Sequence, residues 1–64
     1  MKLKYIGKDE ERVLMTGEVY EVAMKSLRTY IWVDIWYVTK GGRYTCVSRC
    51  YESPQELAAN WCLP

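Results

Sequence analysis

The sequence predicts one small, mainly β domain, an antiparallel barrel of about four to five strands that ends in a short helix. Three observations carry this prediction. Apolar and polar residues alternate in short segments, which is the pattern of half-buried strands. A glycine pair at residues 41–42 separates two runs rich in aromatic and β-branched residues, as in a hairpin. Near the C-terminus, a serine followed by a proline indicates the start of a helix.

The size and composition of the chain suit such a domain. Its 64 residues leave room for a single domain, and the core must be dense for a chain this short. Half of the residues are apolar, and six tyrosines and three tryptophans accompany a complete absence of phenylalanine. Aromatic side chains bury a large area each. We therefore expect these rings to build much of the core.

The first half of the chain predicts two strands. Residues 2–6 alternate in polarity, and Gly7 ends this first strand. Residues 8–12 are charged and are predicted to form a solvated loop. Alternation returns in residues 18–24, which predicts a second strand with one wet face. The polar residues 25–28 are predicted to form the turn that follows it.

The central hairpin has the strongest pattern. Residues 29–39 are rich in Tyr, Ile, Trp and Val, which fit a pleated sheet and crowd a helix, and residues 43–51 are the returning strand. If Gly41-Gly42 is a two-residue turn, Asp34 lies opposite Arg49 and opposite charges meet in the sheet. We predict this register, although it also places like charges opposite each other at the hairpin tip.

This register divides the hairpin into two faces. The predicted core face carries Ile31, Val33, Ile35, Tyr37, Cys46 and Cys50. The other face has aromatic rings around an ion pair and is the candidate binding site, formed by Tyr30, Trp32, Asp34, Trp36, Arg49 and Tyr51. Two interpretations of this face stay open. Either sheet curvature and the C-terminal helix bury most of its rings, or some rings form an exposed platform for a ligand.

The last element is predicted to be a helix of two turns at most. Ser53, Pro54 and Glu56 have the spacing of a capping box, with proline at the first helical position, where it loses no hydrogen bond. Leu57 and Trp61 lie four residues apart on one helical face. We expect these two side chains to dock the helix on the barrel.

Two segments carry a resemblance to a known family. Residues Tyr5-Ile6-Gly7 and Leu14-Met15-Thr16-Gly17-Glu18-Val19-Tyr20-Glu21-Val22 resemble the opening of small SH3-like proteins of bacteriophages and prophages. The likeness is specific for residues 3–24, although Glu18 stands where a lysine is frequent. It implies an SH3-like barrel and a phage or prophage origin. It implies no activity and no site residues, because the members are mostly uncharacterised.

The residue types disfavour catalysis and metal binding. The chain has no histidine, the commonest general base and the usual partner of a nucleophilic serine or cysteine. Asp9, Glu10 and Glu11 are expected to be a solvated loop, with a functional acidic patch as the alternative. Cys46 and Cys50 lie roughly 13 Å apart on one strand, too far to share an ion. We therefore expect buried structural cysteines, no metal, no cofactor and no enzyme activity.

The charge balance favours a protein partner over nucleic acid. Nine basic and eight acidic residues give a formal net charge of +1, whereas nucleic-acid-binding domains usually have a large basic excess. The leading hypothesis is an accessory binding module that docks on a protein through the aromatic face. A nucleic-acid-binding barrel and a homodimer without a ligand are the alternatives. With no signal peptide and an odd number of cysteines, the chain is expected in the cytoplasm and not in a membrane.

Overall fold

The computed structural model describes residues 1–11 and 13–64. Five antiparallel strands form one sheet in the order β4-β3-β2-β1-β5, so the mainly β prediction is confirmed. One short helix precedes the last strand. The elements are β1 (Lys2–Tyr5), β2 (Val19–Leu27), β3 (Tyr30–Val38), β4 (Tyr44–Tyr51), α1 (Pro54–Asn60) and β5 (Trp61–Cys62).

Closure of the sheet into a barrel stays a prediction. The ladders run from β4 to β5 through the three strands between them, and β4 and β5 are the two edges of the described sheet. Helix α1 connects these edges and contacts both. No helix among the described residues has the length and apolar character needed to cross a bilayer.

The core lies on one face of the sheet, which we call the inner face. It contains one side chain from the loop between β1 and β2, and the others come from the strands. Its buried members are Leu3, Tyr5, Leu14, Val22, Val33, Ile35, Tyr51 and Trp61. Leu14 reaches this core because the loop folds back on itself, with backbone hydrogen bonds joining Glu10 and Leu14 in both directions.

The turn between β2 and β3 is shorter than residues 25–28 predict. Strand β2 continues to Leu27, which pairs with Tyr30, so only Arg28 and Thr29 form the turn. Arg28 adopts a positive φ of 53°. A two-residue hairpin turn needs this conformation because it matches the twist of the flanking strands. The polar residues 25 and 26 are therefore the solvated end of a strand.

The predicted register of the central hairpin is wrong by one residue. Asp34 pairs with Ser48, and Arg49 pairs with Val33. The cause is a three-residue turn: the Gly42 N–H donates to the Thr39 carbonyl at 2.9 Å, and Gly42 has a φ of 83°. Such a turn followed by a left-handed glycine is the common three-residue hairpin connection.

A shift of one residue moves every side chain of a strand to the opposite face. The prediction placed Arg49 and Tyr51 beside Trp32. In the observed register, both lie on the inner face instead. Cys46 and Cys50 lie on the outer face and are exposed, so the expectation of buried cysteines is also wrong.

We expect Gly42→Ala to lower the free energy of unfolding by about 1 kcal/mol, because an L-residue with a Cβ is disfavoured in the left-handed region. A Cβ at Gly42 would contact nothing within 4 Å, so the backbone conformation alone sets this cost. Gly41→Ala is the matched control and should have little effect, since Gly41 has no positive φ. Urea denaturation of both variants measures the difference. Equal losses would contradict the three-residue turn.

The C-terminal helix confirms its predicted start. The Ser53 hydroxyl accepts from the Glu56 N–H at 3.1 Å, and Pro54 occupies the first turn. The Glu56 carboxylate accepts from the Glu52 N–H at 2.9 Å, one residue before the cap. Trp61 is buried as predicted, but it lies in β5 and not in the helix. Cys62 belongs to the same strand, where it pairs with Lys4 of β1.

Candidate functional site

The outer face of the sheet carries both tryptophans of β3. Their cross-strand neighbours follow from the observed registers: Trp36 lies between Glu21 and Cys46, and Trp32 lies between Lys25 and Cys50. Both indoles are half-buried. The prediction that Trp32 and Trp36 share one face with Asp34 is therefore confirmed, and neither ring is buried in the core.

Asp34 holds the Trp32 ring in place. The Trp32 Nε1–H donates to the Asp34 Oδ1 at 2.7 Å, and the Ser48 hydroxyl donates to the same oxygen at 2.7 Å. These three side chains come from two neighbouring strands, so the sheet itself sets their spacing. An indole fixed in this way loses little conformational entropy when a partner covers it.

The same two hydrogen bonds shift the titration of Asp34. The Ser48 hydroxyl first, and the Trp32 indole second, stabilise the carboxylate and hold its pKa below the ordinary value of 3.8. Lys25 on the neighbouring strand adds a smaller attraction of the same sign. Asp34 is therefore an acceptor over the whole physiological pH range.

We expect Asp34 to stabilise the fold above its ordinary pKa, and to lose that contribution as the pH falls through the lowered folded value. The wild type should therefore be destabilised on acidification below about pH 4. Asp34→Asn should be less stable than the wild type at neutral pH and should lose less stability as the pH is lowered. Thermal unfolding from pH 2 to pH 7 measures both curves.

Asp9 is the control for this loss of stability at acidic pH, which we call the acid branch of the stability curve. Its pKa is also lowered, because it accepts a hydrogen bond from the Thr16 N–H at 2.6 Å. Asp9→Asn should therefore change the acid branch without changing the fluorescence of Trp32, whereas Asp34→Asn should change both. Unchanged Trp32 fluorescence in Asp34→Asn would contradict the role given to this carboxylate.

Tyr30, the fourth predicted site residue on this face, begins β3 and is exposed. The other two, Arg49 and Tyr51, have structural partners on the inner face. The Arg49 Nε and Nη2 donate to the Glu10 Oε1 at 3.1 and 2.5 Å. Tyr51 is 6% exposed, and its hydroxyl accepts from the Trp61 Nε1–H at 2.9 Å. The predicted site is thereby reduced to four residues on the outer face.

The ion pair between Arg49 and Glu10 ties the loop after β1 to the edge strand β4. Glu10 is paired with Arg49, and Asp9 accepts a hydrogen bond from the Thr16 N–H, so the two carboxylates do not form a free acidic patch. Arg12, which the sequence places in the same charged segment, lies outside the described residues. The solvated-loop prediction therefore holds only in part, because Glu10 is half-buried.

A second feature lies beside the aromatic face and was not predicted. The ladder between β2 and β3 ends at the Glu21–Trp36 pair, although both strands continue past it. The opening between them, which we call the cleft, has a volume of about 1120 Å³. Its apolar lining consists of Val13, Met15, Val19, Tyr20, Trp36, Tyr37 and Val38. Sequence periodicity does not show where two strands separate, and this is why the cleft escaped prediction.

Charged side chains stand around the cleft and across the outer face. Lys2, Glu18, Glu21 and Lys40 are at the cleft, so both signs are represented there. The described part of the chain contains no cluster of three or more His, Cys, Asp or Glu side chains arranged to hold a metal ion. Comparison with protein-family models, curated proteins and solved structures found no match to this chain.

Proposed function

We propose that this chain is a non-catalytic binding domain that docks on a protein partner through the outer face of its sheet. The observation that carries the proposal is the pair of half-buried indoles on that face, with Trp32 fixed by Asp34 at 2.7 Å. Tryptophan is enriched among the residues that dominate protein interfaces, and a ring that is already fixed binds at a lower entropic cost.

The charges of this face favour a protein over a nucleic acid. Lys2, Lys4 and Lys25 lie on it together with Glu21 and Asp34, so both signs are mixed on this face. A phosphate backbone needs an uninterrupted basic surface, and acidic residues beside the rings would repel it. A protein surface of mixed charge meets no such repulsion.

Origin and location belong to the same proposal. The likeness of residues 3–24 to small SH3-like phage proteins supports a phage or prophage accessory protein. Cys46, Cys50 and Cys62 are free thiols, which supports a reducing compartment such as the cytoplasm. The lack of histidine supports a role without catalysis.

The test is affinity capture from the source cell followed by reconstitution with the captured, purified partner. Trp36→Ala should weaken the reconstituted complex by about 30-fold, the factor that corresponds to a loss of 2 kcal/mol at a central interface residue. Trp32→Ala should weaken it as well. Ile6→Ala removes an exposed apolar side chain from the loop after β1 and is the matched control, with unchanged affinity expected.

Two other outcomes would overturn this proposal. Binding of single- or double-stranded nucleic acid at micromolar protein, weakened strongly by salt, would assign the face to a nucleic acid. Concentration-dependent self-association that Trp36→Ala abolishes, without any other partner, would assign it to a homodimer. Light scattering and a titration at two salt concentrations distinguish these cases.

A further inference from the structure

The cleft is bounded by the start of β2 and the end of β3, which have no ladder partner on the side of the cleft among the described residues. The ladder between β2 and β3 ends at the pair of Glu21 and Trp36, whereas β2 begins two residues earlier, at Val19, and β3 ends two residues later, at Val38. In the continued register, Val19 and Val38 would be the next hydrogen-bonded pair. The described ladder does not include them.

The alternation of the antiparallel ladders shows where their backbone groups point. The Tyr5 N–H donates to the Glu18 carbonyl, so the even-numbered residues at the start of β2 face β1, and Val19 faces the cleft. The Thr39 N–H donates to the Arg43 carbonyl, so the odd-numbered residues at the end of β3 face β4, and Val38 faces the cleft. Each wall therefore presents one N–H and one C=O to the opening.

The side chains around these groups are apolar and accessible. Val19 is 44% exposed and Val38 is 63% exposed, and Met15 is exposed beside them. Apolar surface combined with unpaired strand backbone is the chemistry that captures an extended polypeptide by strand addition. The volume of about 1120 Å³ lies just above the range of roughly 300–1,000 Å³ typical of small-molecule sites.

We propose that the cleft binds an extended segment of the partner protein as an added strand between β2 and β3. The segment pairs its backbone with Val19 and Val38 and places apolar side chains against Met15 and Trp36. This inference rests on the proposed function and names the chemistry of the partner. It connects the two features as well, because Trp36 lies both on the outer face and in the cleft.

The charges at the cleft agree with a polypeptide occupant. Glu18 lines the cleft directly before β2, and Lys40 lines it from the β3–β4 hairpin. A segment with charged residues of both signs around an apolar centre can satisfy both walls. A polyanion would be repelled by Glu18 and Glu21, and an uncharged apolar molecule would leave the backbone groups unpaired.

The experiment screens immobilised full-length chain against a displayed library of random peptides of about ten residues, long enough to cross the opening in an extended form. Selected peptides are synthesised and titrated into ¹⁵N-labelled protein. We expect sequences that alternate apolar and polar residues, with shifts and slowed hydrogen exchange at the amides of Val19 and Val38. Methylating the central backbone nitrogens of the peptide should weaken binding by about tenfold, because it removes the strand-pairing donors.

Matched variants of the hairpin test the position of the peptide. Val38→Lys should weaken binding by about tenfold or more, since it places a charge against the apolar centre of the segment. Tyr44→Lys is the control: Tyr44 is the cross-strand partner of Val38, is similarly exposed at 67%, and is not among the residues that line the cleft. Both positions are solvent-accessible, so both variants should fold like the wild type.

Each other outcome counts against the inference. Peptides that perturb the Trp32 indole and Ser48 but not Val19 or Val38 would overturn the cleft while leaving the proposed function standing. Peptide binding at Val19 and Val38 that Trp36→Ala leaves unchanged would contradict the placement of the segment against Trp36, and would overturn the link between the cleft and the outer face. The absence of any selected peptide, or binding indifferent to backbone methylation, would overturn strand addition.

Discussion

Replacing Leu14 by alanine is expected to lower the free energy of unfolding by about 3 kcal/mol, within the range of roughly 2–5 kcal/mol for deleting a buried leucine side chain. Leu14 has no exposed surface, and it is the member of the core that comes from the loop between β1 and β2. A domain of this size has a total stability of roughly 3–10 kcal/mol. The variant should therefore be partly unfolded at modest urea concentrations, which tryptophan fluorescence measures.

Met15→Ala is the matched control for Leu14→Ala. Met15 is the next residue in the chain but is exposed, so its truncation should change stability by less than about 0.5 kcal/mol. The pair also separates stability from binding. Met15→Ala should weaken peptide binding in the cleft while leaving the urea midpoint unchanged, whereas Leu14→Ala should lower that midpoint. Equal midpoints for the two variants would contradict the anchoring role of Leu14.

Local patterns in the sequence were sufficient to predict the first four strands and the start of the helix, but not β5. Alternation placed β1 and β3 within one or two residues of their observed ends, and the capping box placed the start of α1 at Pro54. Both signals depend on a few neighbouring residues and on geometry that repeats along the chain. They are therefore visible without knowledge of tertiary contacts.

The hairpin register could not be predicted in the same way. Both a two-residue and a three-residue turn can be built around Gly41-Gly42, and the choice between them decides which face Arg49 occupies. The apparent charge match of Asp34 with Arg49 favoured the wrong choice. The like charges of Lys40 and Arg43, which that register placed opposite each other, were the signal against it.

Long-range partners explain why two predicted site residues are structural. Arg49 pairs with Glu10, which lies 39 positions earlier in the chain. No local pattern connects these two residues. The error in register did not affect the prediction that Trp32, Asp34 and Trp36 share a face. These residues belong to one strand, and the alternation of side chains along a strand places every second residue on the same face.

Trp61→Phe is expected to cost about 2–3 kcal/mol, which is less than the roughly 3–5 kcal/mol for truncating a buried tryptophan to alanine. Trp61 is buried and packs edge-on against Tyr5 and Tyr20, with ring centroids 5.1 and 6.0 Å away. Phenylalanine keeps part of this packing. It removes the indole N–H, which donates to the Tyr51 hydroxyl. Thermal and urea unfolding measure the total loss.

A double-mutant cycle with Tyr51→Phe isolates the hydrogen bond from the packing. The sum of the losses in unfolding free energy of the two single variants should exceed the loss of the double variant by about 1 kcal/mol. The reason is that a buried polar group left without its partner costs more than removal of both groups. Additive losses would show that this hydrogen bond contributes nothing and that packing alone makes Trp61 important.

The alkaline pH dependence gives the same bond an independent test. Burial raises the pKa of Tyr51 above its ordinary value of 10.0, and the hydrogen bond from Trp61 opposes this shift by stabilising the phenolate. The neutral phenol is therefore favoured in the folded state. Its contribution to stability is present below about pH 10 and is lost as the pH rises through the higher folded value. Trp61→Phe should raise the pKa of Tyr51 further, and Tyr51→Phe should remove this part of the alkaline loss. Tyr5 also contributes to that loss, because burial raises its pKa as well.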